Sequence, residues 1–195
     1  TSVKVFDENV KIEHDEMLEM INEAVKAPSS VNMQPWRFLV VDSPKGKDIL
    51  RPLIRFNTRQ NDTSAAMVVV FGDMRCYENA EDIFSRAVGQ GMMPEAIKQQ
   101  TLSMFLPGYE QAPREVMNDI VKIDSSLAAM QFMLVARAHG YDTNPIGGFE
   151  TDQIAEALGL DAERYVPVLI VAIGKANYDS HPTVRLDAKE ITQFV

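Results

Sequence analysis

Apolar positions along the chain follow two periods. From 13 to 26, Met17, Met20, Ile21, Ala24 and Val25 recur every three or four residues, which predicts an amphipathic helix. Three later runs carry almost no polar alternation: Phe38–Val41, Ala65–Gly72 with Met67-Val-Val-Val-Phe71 at its centre, and Tyr165–Gly174. Each run predicts a buried strand, and the β-branched centre of Ala65–Gly72 predicts a central strand buried on both faces of a sheet. Ser43-Pro44 reads as an N-cap with proline at the first helical position. Ile49, Leu50, Leu53 and Ile54 give that helix a core face, and Pro52 interrupts it. Residues 79 to 106 are helical in pattern but broken at Gly89, Gly91 and Pro94. With the flanking stretch to 112 they read as a polar excursion or lid. Residues 115 to 139 predict the strongest helix, with Ile120, Ile123, Leu127, Met130, Met133, Leu134 and Ala138 as its core face. Ser125, Ser126, Ala128 and Ala129 leave room for a second helix, and Gly140 is a natural terminator. Thr151–Leu158 predicts a short helix capped by Thr151 or Asp152 and closed by Gly159. The polar tail, 175–195, has too little apolar surface to bury itself and is expected to cross a partner subunit. The order of elements predicts an α+β sheet with helices on it, in one domain spanning 1–195.

Composition narrows the function. A chain of 195 residues can fill one core. The net charge of -9 argues against nucleic acid as the main partner, because phosphate backbones require clustered Lys and Arg. The single cysteine, Cys76, excludes a disulfide framework and a multi-thiolate metal site within one chain. His14, His139 and His181 lack metal-ligand spacing, so no metal is expected. No run approaches membrane-spanning length and no signal peptide is evident, so a soluble cytoplasmic protein is expected.

Candidate chemistry concentrates in four segments. The stretch Ala27-Pro-Ser-Ser-Val-Asn-Met-Gln-Pro-Trp36 joins a helix to a strand through hydroxyls and amides that both donate and accept. That chemistry suits a flat, polar-edged ligand such as a flavin or purine; an ordinary connecting turn is the alternative. Ser2 and Lys4 pair a hydroxyl with a cation, Asn57-Thr-Arg-Gln60 is amide-rich, and Pro145-Ile-Gly-Gly148 lets backbone approach a planar ring. Arg185 adds a cation in the tail. No Gly-x-Gly-x-x-Gly follows a strand, which disfavours a Rossmann site, and no P-loop motif is present.

Taken together, these motifs resemble the FMN-dependent nitroreductase family, and within it the NAD(P)H nitroreductases of low-GC Gram-positive bacteria. The match runs through Ser2-Val3-Lys4 with Phe6-Asp7, the 27–36 stretch, Gly140-Tyr-Asp-x-x-Pro-Ile-Gly-Gly-Phe149 and Arg185-Leu186. The resemblance implies a three-layer α-β-α sandwich with a mixed, mainly antiparallel central sheet, assembled as an interlocked homodimer with FMN at the subunit interface. Carried over by motif, Ser2, Lys4 and Arg185 hold the phosphate and ribityl chain. Pro28, Ser29, Ser30 and Asn32 come from the other subunit and line the flavin. Asn57 and Gln60 bond the pyrimidine edge. Pro145, Ile146, Gly147 and Gly148 pack on one ring face, with the Gly147 N–H directed at flavin N5. Two departures stand out. Thr1 fills a slot where the family often has Arg. Gln60 falls where some members carry Lys, and a neutral amide stabilises an anionic reduced flavin less than an ammonium does.

The implied activity is hydride transfer from NADH or NADPH, through the flavin, to a small oxidised acceptor such as a nitroaromatic or quinone. The cofactor supplies the chemistry and the protein supplies position. The alternatives are a flavin-sequestering protein with little turnover and a non-catalytic dimeric interaction module. A specialised deiodinase or flavin-destroying enzyme is a minor variant.

Overall fold

The computed structural model describes residues 2–178 and 182–195. Thr1 and His181, which entered the sequence reading, lie outside the described residues. The elements in chain order are α1 (His14–Ala24), β1 (Trp36–Val41), α2 (Pro44–Leu50), α3 (Thr58–Thr63), β2 (Ala66–Asp73), α4 (Ala80–Gly89), α5 (Glu95–Glu110), α6 (Arg114–Ala138), β3 (Asp142–Ile146), α7 (Ile154–Ala157), β4 (Tyr165–Gly174) and α8 (Ala188–Ile191).

The strands form one sheet of order β1-β2-β4-β3, and all three pairings are antiparallel. β2 lies inside the sheet and every one of its residues is buried. Its side chains alternate between faces, so Met67, Val69 and Phe71 enter one core while Ala66 and Val68 enter the other. The first core packs against Val3, Phe6, Leu50, Leu53 and Ile154. The second packs against α1, through Met17 and Met20, and α6, through Phe132 and Ala136. Burying each such side chain contributes about 1.5–3 kcal/mol, so this two-sided filling is what holds helical layers on both faces. Gly72 seats α6 on the sheet: a Cβ there would lie 2.7 Å from Val121 Cγ2.

Several local expectations hold for identifiable reasons. Ser43 Oγ accepts the Gly46 N–H at 3.1 Å, with Pro44 opening α2. At Pro52 the helix gives way to a 3-10 turn, Arg51–Leu53. Gly140 and Gly159 take φ of 82° and 78°, the left-handed conformation their terminating roles require. No helix among the described residues is long and apolar enough to cross a membrane.

Four expectations are corrected. The stretch after Gly140, given no element from the sequence, contains a strand, β3; Pro145 is tolerated because β3 is an edge strand. The short helix near 151–158 reduces to Ile154–Ala157, and its N-cap position is Gln153 rather than Thr151 or Asp152. The α6 face is largely displaced: Ile120 and Met133 are half-buried against the core, but Ile123, Leu127, Met130, Leu134 and Ala138 are exposed, and the buried face is Met117, Val121, Asp124, Ser125, Ala128, Ala129, Phe132 and Ala136. Three of the four small residues therefore face inward, and only Ser126 remains outside. Finally, the 79–112 excursion has its own core. Phe84, Leu102 and Tyr109 pack with Met33, Met74 and Met117, which joins the excursion to the turn that precedes β1.

Candidate functional site

The turn between α1 and β1 is held in an unusual shape. Val31, Asn32 and Gln34 take φ of 48°, 55° and 49°, a region costly for residues with a Cβ. Such a conformation persists only when its surroundings over-determine it. Here they do. The Ser30 N–H donates to Asp124 Oδ2 at 3.0 Å, and the Tyr109 hydroxyl donates to Ser30 Oγ at 2.6 Å. The Gln34 N–H donates to Ser29 Oγ at 3.1 Å. Behind the turn, Arg37 donates to the Gln34 and Trp36 carbonyls and to the wholly buried Asp73. Asp73 also takes a bidentate pair from Arg164 at 2.9 and 3.0 Å. That fork holds Arg164 above its ordinary range. Pro28, Ser30 and Asn32 remain exposed on the outer side of the turn.

Burial pushes the Asp124 carboxyl up, and the Ser30 N–H only partly opposes this. It also pushes up the Tyr109 hydroxyl and, with the Asp73 charge behind it, the Cys76 thiol to about 12. Cys76 is therefore a buried neutral thiol near neutral pH, and a nucleophilic role is ruled out on those grounds.

The other predicted segments gather at the far edge of the sheet. The N-terminal stretch runs beside β3: the Val3 N–H donates to the Thr143 carbonyl at 3.3 Å, and the buried Asn144 amide donates to the Val3 carbonyl at 2.9 Å. A cleft of about 500 Å³ opens there, and Ser2, Pro145 and Arg185 line it with Arg137, Asp142 and Met130. Beside it, the Asn57 amide donates to the Gly148 carbonyl at 3.1 Å and the Gln60 amide to Asn57 Oδ1 at 3.1 Å. The structure thus brings 57–60 and 145–148 together. The Lys4 backbone N–H donates to the Tyr178 hydroxyl, and the residue is exposed.

The turn does not join this group within one chain. Asp124 marks the turn's position along α6 and Arg137 marks the cleft, thirteen residues later. At 1.5 Å per residue the separation is about 20 Å. The exposed stripe Ile123, Leu127, Met130 and Leu134 runs between the two ends. Arg137, Asp142 and Asp124 were not singled out from sequence. Asp142 falls inside the Gly140–Phe149 motif but was given no role there, and no motif marks Arg137 or Asp124.

A mononucleotide flavin is compatible with these residues. Hydroxyl and guanidinium groups at Ser2 and Arg185 match a phosphate. Gly147 is not in a left-handed conformation, and a Cβ built on it would meet nothing within 4 Å. The protomer itself therefore gives no reason for glycine there, while a planar ring laid on the backbone would.

Comparison with known proteins agrees. The pattern described as the nitroreductase family matches residues 1–175. YdgI of Bacillus subtilis, named as a candidate NAD(P)H nitroreductase, is 48% identical over 193 residues, covering 99% of this chain and 92% of its own. The CLA biosynthesis enone reductase of Lactiplantibacillus plantarum is 42% identical, covering 100% of this chain and 90% of its own. A crystal structure of a candidate nitroreductase from Exiguobacterium sibiricum in complex with FMN superposes with a TM-score of 0.97 at 50% identity, covering 100% of this chain and 93% of that one.

Proposed function

The chain belongs to the nitroreductase family, and from that premise we propose that it is an NAD(P)H-dependent FMN oxidoreductase acting as a homodimer. The observation that carries the reading is the separation of two half-sites on one protomer, about 20 Å apart along α6, with an unpartnered apolar stripe between them. A second copy docked on that stripe would set the turn of one subunit against the cleft of the other. The polar tail, with Val184, Leu186, Ile191 and Phe194 exposed, is a further surface for the same partner.

In this reading Ser2, Lys4 and Arg185 hold the phosphate and ribityl chain by charge-assisted hydrogen bonds. Asn57 and Gln60 face the pyrimidine edge; Gln60 is buried and oriented by Asn57, so its amide is fixed before the ligand arrives. Pro145, Ile146, Gly147 and Gly148 provide the backbone surface for one ring face, with the Gly147 N–H as the donor toward N5. Pro28, Ser29, Ser30 and Asn32 of the second copy line the opposite edge. FMN, when bound, supplies the hydride relay from NADH or NADPH to an oxidised acceptor. The protein's part is to bind, orient and leave one ring face accessible, with no side chain as nucleophile. The excursion 79–112, packed directly on the turn, shapes access and so the choice of acceptor. Nitroaromatics and quinones are the acceptor classes expected first. A conjugated enone joins them because of the relative named for that chemistry.

The test is spectroscopic. Purified protein with FMN is expected to be yellow, to sediment as a dimer and to bleach on anaerobic addition of NADH or NADPH. A protein that stays colourless after FMN addition would defeat the reading.

A further inference from the structure

We infer that Arg137 supplies a second guanidinium for the phosphate of the flavin mononucleotide, a role that rests on the flavin reading above. Arg137 lies in the last turn of α6 and lines the same cleft as Ser2 and Arg185. Its Nη1 donates to Asp142 Oδ1 at 2.6 Å, and this is its only recorded side-chain hydrogen bond among the described residues. Nε and Nη2 are thus uncommitted, and the guanidinium is largely exposed, at 73%. An exposed ion pair of this kind contributes little to stability. Redirecting the fork toward a phosphate is therefore inexpensive, and a bidentate Arg–phosphate pair is the stronger contact.

Asp142 does more than neutralise Arg137. Its other oxygen accepts the Ala176 N–H at 3.0 Å, where β4 has ended and the tail begins. One carboxylate thereby aligns the end of α6, the edge strand β3 and the start of the segment that carries Arg185. The C-terminal end of α6 is a poor place for an anion, because the last carbonyls present partial negative charge. Asp142 adds to that repulsion. A phosphate in this cleft therefore needs more than one facing cation, and Arg137 stands at the helix end itself.

The experiment compares FMN with riboflavin, which lacks the phosphate, by flavin fluorescence titration of the dimeric protein. Wild-type protein is expected to favour FMN. Arg137→Gln should lose FMN affinity by about 10-fold or more while riboflavin affinity stays unchanged. The slope of FMN affinity against salt should also become shallower. Asp142→Asn separates this role from a structural one. It keeps Arg137 and removes a competing negative charge, so FMN affinity should hold or rise. If the Arg137–Asp142 pair matters only for folding, both variants will lose FMN and riboflavin alike, and the inference fails. It fails equally if Arg137→Gln keeps the wild-type preference for FMN. Wild-type protein that binds neither flavin overturns the flavin reading, and this inference with it. Should Arg137→Gln not fold, Arg137→Lys keeps the charge but removes the fork, and an undiminished FMN preference there would overturn the bidentate assignment.

Discussion

The two halves of the site are built differently. The turn at 28–34 is fixed from behind by Asp73, which is wholly buried and bridged by two arginines, and from the side by Asp124 and Tyr109. Its left-handed residues are stable only because those partners leave no alternative. The cleft at the opposite edge has Ser2, Arg137 and Arg185 exposed, and among the described residues Arg185 bonds its neighbours Thr183 and Val184. One half is rigid before any ligand arrives; the other is completed by what binds. Preorganisation is thus concentrated where the flavin rim would be shaped. Adaptable cations are left where a phosphate, with its strong charge, can order them itself.

The sharpest way to break this contrast is to remove the carboxylate behind the turn. Asp73→Ala removes the shared partner of Arg37 and Arg164, which are only partly exposed, although Arg164 keeps Glu78 at 2.9 Å. A loss of about 3–5 kcal/mol is expected, toward the lower end because both arginines reach some solvent. Urea unfolding measures it; a change under about 1 kcal/mol would show that the turn holds itself.

Leu134→Asp tests whether a second copy joins the two halves. Leu134 is 60% exposed on the α6 stripe, so the folded protomer should tolerate the change. A charge placed in an apolar interface is expected to weaken the dimer by about 3 kcal/mol, roughly 100-fold in dissociation constant. Sedimentation should show monomer at concentrations where wild type is dimeric, with FMN affinity lost in parallel. Unchanged sedimentation would detach α6 from assembly.

The error on α6 shows how far a sequence can be read. Its apolar residues occupy two faces, and periodicity reports both without saying which one meets the sheet. Larger side chains at Ile123, Leu127, Met130 and Leu134 made the outer face look like the core. The inner face mixes small residues, Ser125, Ala128, Ala129 and Ala136, with Met117, Val121 and Phe132, and Gly72 leaves room on the sheet for Val121. β2 was legible because burial on both faces leaves an unbroken apolar run, and β4 because its apolar run is half-buried over Tyr165–Leu169 and fully buried from Ile170. β3 was not, because an edge strand can carry Asn144 and Pro145. At the site, residues clustered in motifs were visible as types. Asp124 was hidden because it acts from mid-helix on a turn far away in the chain, and Arg137 because a charged residue in the last turn of a helix is common and carries no motif.

A smaller effect is expected at the adaptable half. Arg185→Ala should weaken FMN binding by about 1.5–3 kcal/mol if its guanidinium reaches the phosphate, with folding stability unchanged because the side chain is exposed. Fluorescence titration paired with thermal unfolding separates the two. A shift in unfolding with intact FMN affinity would place Arg185 in the architecture of the tail instead.

The finest test concerns the charge on Asp124. Burial raises its carboxyl above the ordinary range, so the folded chain holds that proton more tightly than the unfolded chain does. The sign follows. Asp124's contribution to stability is fully present below its unfolded value of about 3.9 and is lost as pH rises through its raised folded value. Asparagine keeps an oxygen for the Ser30 N–H and never ionises. Asp124→Asn should therefore remove the fall across that window and be at least as stable as wild type at pH 7. Asp124→Ala, which removes the acceptor, should cost about 1 kcal/mol at every pH. Unfolding curves at pH 4 and pH 7 distinguish the variants. If Asn proves as damaging as Ala at pH 7, the negative charge rather than the hydrogen bond holds the turn. Its rigidity would then be electrostatic, like the cleft's, and the contrast between the two halves would narrow to one of burial.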